Sequence, residues 1–540
     1  MLVIVIVIVI VAGVVLVVVR VADRTLFSRP FRAGPREPPR RGLFLLESAP
    51  PPGGAPMIRA LRRPHGPILA AGLAVALLWA SQPAPSRADE DDEATPAPAA
   101  DAAQASALSS GPMLGYVSLR SATVWVQTKR PAQVQLRYWP LNAPTQARLT
   151  DPARTEKAGD LCLTLLLDGL EPGTRYGYEL YLDGEHVARP YPLRFETAPL
   201  WQWRTEPPDV ALLIGSCAYI NEDRYERPGR FYGGQMEIFK SMAKVPADAM
   251  IWMGDNVYFR EVDYATAEGM AARYRHDRAL PELQALLAHQ PNYAMWDDHD
   301  YGPNDSDGTF QLKDAALDAF RRYWPAPAYG TPKVKGAFQR FQIADADVFL
   351  LDDRYHRSSD DMPDGPDKRM IGRGQMEWLK QSLVGSRARF KLIVSGGQVL
   401  NRVTPYEAWQ TMFPQEQKEL LDWIVERRVE GVVFLSGDRH HTEILVQTPS
   451  GGYPLYDITC SPLTSGPNRF GKDHVEWNNP DRVPGTLLQE RNFGVVKLIG
   501  KGDDRRLAFE AYRVDGTRAY RHEIQASKLR WENRRRGRLY

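Results

Sequence analysis

"VALLIGSCAYINEDR", Val210 to Arg224, is an apolar run that stops abruptly on Gly215-Ser216-Cys217. A short stretch of Val, Leu and Ile closed by Gly and Ser reads as a buried strand. The pattern recurs downstream, with apolar runs near Ala249–Met253, Tyr293–Trp296, Val348–Leu351, Leu392–Val394 and Val432–Leu435. Between them lie the amphipathic stretches "MEIFKSMAKV", "LPELQALLAH", "LKDAALDAFRRYW", "GQMEWLKQSL" and "EQKELLDWIVERRV". Strands alternating with helices predict an α/β domain.

In such folds ligands gather at the carboxyl ends of the strands. The residues closing each run are "IGSC" (Cys217), "WMGDNVY" (Asp255, Tyr258), "MWDDHDYGPND" (Asp298, His299, Asn304), "LLDDRYH" (Asp353, Arg354), "IVSGGQ" (Gln398) and "FLSGDRHHTE" (Asp438, His440, His441). One aspartate after a strand is by default a helix cap or turn residue. Six consecutive strands ending in polar or ionisable side chains need a common cause.

Cys217 admits three readings: buried filler, phosphatase nucleophile or metal ligand. A phosphate-cradling cysteine loop has the spacing C-x5-R and opens directly into a helix. Here the arginine is Arg224, one residue too far, and Pro228 breaks the stretch where that helix would run. The metal reading fares better. Thiolate, carboxylate, phenolate and imidazole from Cys217, Asp255, Tyr258 and His440 form an anionic donor set suited to ferric iron. Asp298 or Asn304 together with Asp438 forms an all-oxygen set suited to a hard cation such as calcium, magnesium or manganese. Two such cations clamp a phosphoryl group and activate water without a side-chain nucleophile.

The order GD-x-x-Y, DDH with a downstream ND, then GD-x-H resembles the metallophosphoesterase superfamily, and within it the PhoD-like alkaline phosphatases. The resemblance spans roughly Pro112 to Tyr520 and implies a four-layer α/β/β/α sandwich preceded by a small β-sandwich. It implies that Cys217, Asp255, Tyr258 and His440 bind Fe3+, and that Asp255, Asn304 and Asp438 bind one or two Ca2+ ions, with Mg2+, Mn2+ or Zn2+ as alternatives. Laid on the superfamily's GNH[DE] motif, Asp298 takes the place of the metal-binding asparagine and His299 that of the catalytic histidine, so Asp298 and Asn304 are both carried as ligands. Arg354, in "LDDRYHR", matches an Asp-x-Arg pattern and is expected to face the substrate phosphate, with a salt bridge at the sheet rim as the alternative. The implied activity is hydrolysis of phosphomonoesters or phosphodiesters by a metal-activated water, with His299 as proton donor. A phospholipase D-like phosphodiesterase on the same site is one rival, and a non-catalytic surface binding protein is the other.

The remaining sequence frames this domain. The chain has 540 residues, 43% hydrophobic and 25% charged, enough for a large core and two or three domains. Its net charge of +2 gives no electrostatic case for a nucleic-acid partner. Residues 1–56 hold an apolar run, Leu2 to Val19, and then an Arg/Pro-rich segment. They read as a membrane span that would tether the protein, or as translation upstream of a true start at Met57. Residues 57–88 carry the grammar of a secretory signal and 89–111 an acidic Ala/Pro-rich linker, so the remainder is expected to be exported, as a monomer. Residues 112–200 alternate as short strands with a hairpin turn at Asp183-Gly184, and "LEPGTRYGYEL" resembles the fibronectin type III pattern. The phosphatase domain is placed at 205–525 and a basic tail at 526–540. Three cysteines, Cys162, Cys217 and Cys460, are too few for a disulfide framework. Asp297 and Asp300 read as turn and cap residues, and Trp252, Trp296, Trp378 and Trp409 as core or pocket wall.

Overall fold

A computed structural model describes residues 107–531, apart from Arg227, Arg230 and Pro405, together with the backbone of 3–11 and 14–22. In the N-terminal unit, Val3–Val11 pairs antiparallel with Val14–Ala22, Val3 lying opposite Ala22. The run read as a possible membrane-spanning helix is thus a hairpin, because alternating Val and Ile, stiff at χ1, favour extended backbone. Among the described residues no helix is long and apolar enough to cross a membrane. The signal segment 57–88, the linker as far as 106 and the tail from 532 lie outside the described residues.

The first strand of the β-sandwich is Leu108–Val117, so order starts before the expected Pro112. Ser110 Oγ donates to the Arg278 carbonyl at 2.6 Å and Gly111 N–H to Gln284 Oε1 at 2.8 Å, long-range contacts that anchor a stretch without apolar periodicity. This strand pairs with Ala122–Thr128, which pairs with Cys162–Leu167. The facing sheet is built on Gln133–Pro140 and Arg175–Leu182. Val124, Leu136, Leu180 and Phe195 fill the space between. Asp183 and Gly184, with φ of 50° and 88°, make the hairpin turn that the sequence predicted. Tyr176 accepts the Glu171 N–H at 2.8 Å and stacks on Phe195.

Trp125 turns out of this sandwich into the α/β domain, where its Nε1 donates to the Arg322 carbonyl at 2.9 Å. Gln127 reaches Tyr323 Oη at 2.8 Å, and the Asn292 amide donates to the Leu114 carbonyl at 2.9 Å. A sandwich held by buried polar bonds is a fixed support for its neighbour.

The α/β domain has two six-stranded sheets. The first runs Asn292–Met295, Ala249–Met253, Val210–Gly215, Asn492–Ile499, Arg506–Arg513, Arg518–Gln525. The second runs Gln339–Ile343, Ala346–Leu350, Phe390–Ser395, Val432–Ser436, Leu455–Thr459, Glu443–Gln447. Strand alternation sorts the side chains: Leu212, Ile214, Ile251 and Met253 join Val348, Leu392 and Phe434 in the core between the sheets. Their neighbours Leu213, Met250 and Trp252 face outward against Phe239, Tyr274, Leu286 and Phe320 on the helices. The five amphipathic stretches form the helices Glu237–Ala243, Pro281–His289, Lys313–Tyr323, Gly372–Gly385 and Pro414–Glu426. The result is the expected α/β/β/α sandwich.

Candidate metal centre

The strands Val210–Gly215, Ala249–Met253 and Val432–Ser436 end side by side, and each breaks into a sharp turn. Cys217, Asp255, Asp438 and His440 all adopt left-handed backbone, with φ of 63°, 55°, 60° and 54°. This conformation costs roughly 1–3 kcal/mol per non-glycine residue and concentrates where function over-determines the fold. Gly254, at φ 90°, sustains the turn before Asp255, and a Cβ there would lie 2.7 Å from the Asp297 Cβ.

These turns bring Cys217 Sγ, an Asp255 carboxylate oxygen and a His440 ring nitrogen within 4.8 Å of one another. Tyr258 joins them, its hydroxyl donating to Asp255 Oδ2 at 2.8 Å and lying 3.2 Å from His440 Nε2. Cys217, Asp255 and Tyr258 are buried, and His440 is partly exposed. Four residues from three strand ends thus converge as the sequence suggested.

The loop after Cys460 touches nearly every member of this group. Ser461 Oγ donates to Cys217 Sγ at 3.1 Å and accepts the His440 N–H at 3.0 Å. Ser465 Oγ lies 3.0 Å from Tyr258 Oη and 2.9 Å from the Cys217 carbonyl. The Gly466 carbonyl accepts from His440 Nδ1 at 2.8 Å, and Tyr232 Oη stands 2.9 Å from the same nitrogen. Serines lack a local motif; only their position across the strand ends reveals them. Cys460 is buried packing, and all three cysteines are free thiols.

A second pole lies beyond Asp255. Asp255, Asp298 and His299 offer ligand atoms within 4.8 Å of one another, as do Asp298, Asp305 and Glu407. Asp298 Oδ2 accepts the Asp305 N–H at 2.8 Å and lies 3.9 Å from His299 Nε2. The His299 ring lies on Tyr258, with centroids 4.1 Å apart. Asn304 and Asp305 are both exposed on this loop, and the Asp305 carboxylate lies within reach of Asp298. Asp297 and Asp300 act as expected: they form a capping box, and Asp300 also accepts the Asn256 N–H.

Arg354 corrects an expectation. It is fully buried, donating to Asp297 Oδ1 at 2.6 Å and bidentately to Glu407 at 2.9 and 3.0 Å. Arg357 adds a bond to Glu407 Oε1 at 2.8 Å. Its fork is committed to carboxylates beneath the site, so Arg354 does not face a phosphate. The salt-bridge alternative describes it. Glu407 had no signal in the sequence because its partners lie about 50 residues upstream.

The electrostatics fit a cation. Burial pushes the Cys217 thiol and the Tyr258 phenol well above their ordinary values, and the Asp255 charge adds to both. Asp255 is driven upward by burial and then by Asp298, Asp297, Asp300 and Asp438. Burial raises Asp438 to about 7, with Arg439 opposing. Burial lowers His440 to about 4, so its imidazole is neutral, the form that binds metal. Burial also pulls His299 below the ordinary histidine value, with Asp298 opposing. Asp298 is held below the usual carboxylate range, because the His299 and Arg354 charges outweigh its burial. A buried cluster of mutually repelling anions is stabilised by a bound cation, which reverses the upward shifts of Cys217, Tyr258, Asp255 and Asp438.

Beside this centre lies a cavity of about 680 Å³, bordered by Phe231, Tyr232, Gly466, Arg469 and Arg491.

The model of the PhoD-like phosphatase family matches residues 212–497, more than half of the chain. This chain belongs to the PhoD-like phosphatase family. It is therefore a phosphoric ester hydrolase, and a metal-dependent one. A domain of unknown function (DUF7800) matches residues 105–199, the sandwich that precedes the PhoD-like domain. No curated protein matches. Among solved structures, PhoD is similar over 76% of this chain and 91% of its own, with a TM-score of 0.62 at 17% identity. The purple acid phosphatase PPD1 from yellow lupin (Lupinus luteus) seeds is similar over 77% of this chain and 74% of its own, with a TM-score of 0.54 at 12% identity. At such identities the likeness concerns the fold.

Proposed function

We propose that this chain is an exported phosphatase that hydrolyses phosphomonoesters, phosphodiesters or both at a mixed iron and calcium centre. The observation that carries the reading is the convergence of Cys217, Asp255, Tyr258 and His440. Thiolate and phenolate together are a donor set that favours Fe3+ over the hard divalent ions. Asp255, Asp298 and Asp438, with Asp305 and Asn304 on the neighbouring loop, would hold Ca2+ or another hard cation. Bound cations would supply Lewis acidity toward the phosphoryl oxygens and make a water nucleophilic at neutral pH.

The residues of the chain do the rest. Cys217 Sγ is enclosed at the strand end and engaged by Ser461, so it is a ligand and not an attacking group, and no phosphoenzyme forms. His299, one-fifth exposed beside Asp298, is the proton donor to the leaving oxygen. Its Nδ1 is buried and has no hydrogen-bond partner among the described residues, so the proton would be given from Nε2, the nitrogen beside Asp298. Asp298 favours the protonated ring against the burial that opposes it, and the Tyr258 face limits its rotation. The cavity behind Tyr232 and Gly466 would take the alcohol part of a larger ester. Export rests on the signal-like segment 57–88.

The test is the metal content and visible spectrum of the purified protein, with a panel of monoesters, diesters and phospholipids. Iron with a phenolate-to-iron charge-transfer band that vanishes in Tyr258→Phe is the expected result. Zinc or manganese without colour would retain the phosphoesterase and overturn the iron assignment. Preference for phospholipids would identify the phospholipase D-like alternative.

A further inference from the structure

Ser461 is fully buried and its backbone is tied down on both sides. Its N–H donates to Thr442 Oγ1 at 3.2 Å, and its carbonyl accepts from Asn492 Nδ2 at 2.9 Å. The hydroxyl is therefore delivered to a set place. It meets two groups: the His440 N–H at 3.0 Å and Cys217 Sγ at 3.1 Å.

A hydroxyl has one proton and two lone pairs. A backbone N–H only donates, so Ser461 Oγ must accept from His440, and its single proton is left for the sulfur. Ser216 offers a contrast. Its Oγ lies 3.3 Å from Cys217 Sγ and equally 3.3 Å from the Cys460 carbonyl. A carbonyl only accepts, so it competes for the Ser216 proton with a better acceptor than sulfur. Of the two hydroxyls near the thiolate, Ser461 is the committed donor.

We propose that Ser461 is a positioning residue of the metal centre, whose hydroxyl ties the Cys217 sulfur to the His440 backbone and sets the sulfur's donor strength. The inference rests on the reading that Cys217 and His440 bind one metal ion. A hydrogen bond to a ligating thiolate draws charge from sulfur and weakens its donation, which tunes the metal. The same bond links the two turns that present both ligands, each with a left-handed residue. Ser461 thus sets both the electronic character of the sulfur and the spacing of thiolate and imidazole.

The experiment uses the full chain loaded with Co2+, whose thiolate-to-metal charge-transfer band reports sulfur ligation whatever the native metal. The wild type is expected to show the band, Ser461→Ala to move it to longer wavelength, and Ser216→Ala to leave it in place. The Co2+ affinity of Ser461→Ala is expected to fall roughly 10–100-fold, the usual cost of losing a ligand's hydrogen-bond partner. A band that stays put in Ser461→Ala but moves in Ser216→Ala would overturn the assignment while leaving the metal reading intact. No sulfur band in the wild type would overturn the metal reading itself, and this inference with it. Resonance Raman of the loaded wild type in H2O and D2O reads the same bond even if Ser461→Ala does not fold. A deuterium shift of the metal–sulfur stretch supports it, and an unchanged stretch refutes it.

Discussion

The two poles of the centre are held by opposite means. Around Cys217, Tyr258 and His440 the supporting groups are neutral: Ser461, Ser465, Tyr232 and the Gly466 carbonyl. Around Asp298 they are charged, with Arg354 and Arg357 set against Asp297 and Glu407. The difference reflects the hazard each pole must prevent. Soft ligands need aim and tuning, which neutral hydrogen bonds supply. Crowded carboxylates need compensation, and buried arginines neutralise part of their charge before any cation arrives.

This contrast is open to attack. The largest effect belongs to the neutral pole: Cys217→Ala should take turnover to background with loss of the metal, while circular dichroism stays near wild type and Tm near that of the metal-free wild type. A collapse of the fold would mean that the thiol is structural. His299→Asn, between the poles, should lower kcat by about 10²–10⁴-fold. The drop should be greater for alkyl esters than for nitrophenyl esters, whose leaving oxygen needs no proton; equal drops would remove His299 as the acid. At the charged pole, Arg354→Met should leave Asp297 uncompensated and Glu407 with Arg357 alone, and cost about 3–5 kcal/mol in denaturant unfolding. Near-wild-type stability with impaired phosphate binding would return Arg354 to the substrate.

A smaller effect tests charged support away from the ligands. Burial works to raise the Glu443 carboxyl, but His441, with Nε2 3.3 Å away, and Arg482 hold it down to about 2 from an ordinary 4.5. A depressed folded-state value contributes stability above the unfolded value that is lost as pH falls from about 4.5 toward 2, here on the order of 3 kcal/mol. Glu443→Gln should flatten acid unfolding across that window. An unaltered acid limb would show that Arg482 gives no such support.

Legibility in the sequence tracked distance along the chain. Cys217, Asp255, Asp298 and Asp438 each come directly after an apolar run, so strand and candidate ligand are read together. Glu407 and Ser461 lie on loops and act on partners 53 and 244 residues away. Arg354 sat in a pattern suggesting phosphate contact, but its direction depends on carboxylates on other segments. The same holds at the other end of the domain, where tertiary bonds to Arg278 and Gln284 draw Ser110 and Gly111 into order.

By itself, then, the sequence determined the alternation of strands and helices and the residue types at the strand ends, while the α/β/β/α layering came through the family resemblance. Side-chain period and residue chemistry are local properties, and they survive being read in one dimension. Only the tertiary structure decided which hydroxyl faces the sulfur, which carboxylate joins Asp298 and where Arg354 spends its charge. A hydrogen bond or ion pair acts over about 3 Å, and which groups come that close is settled by packing and not by order along the chain.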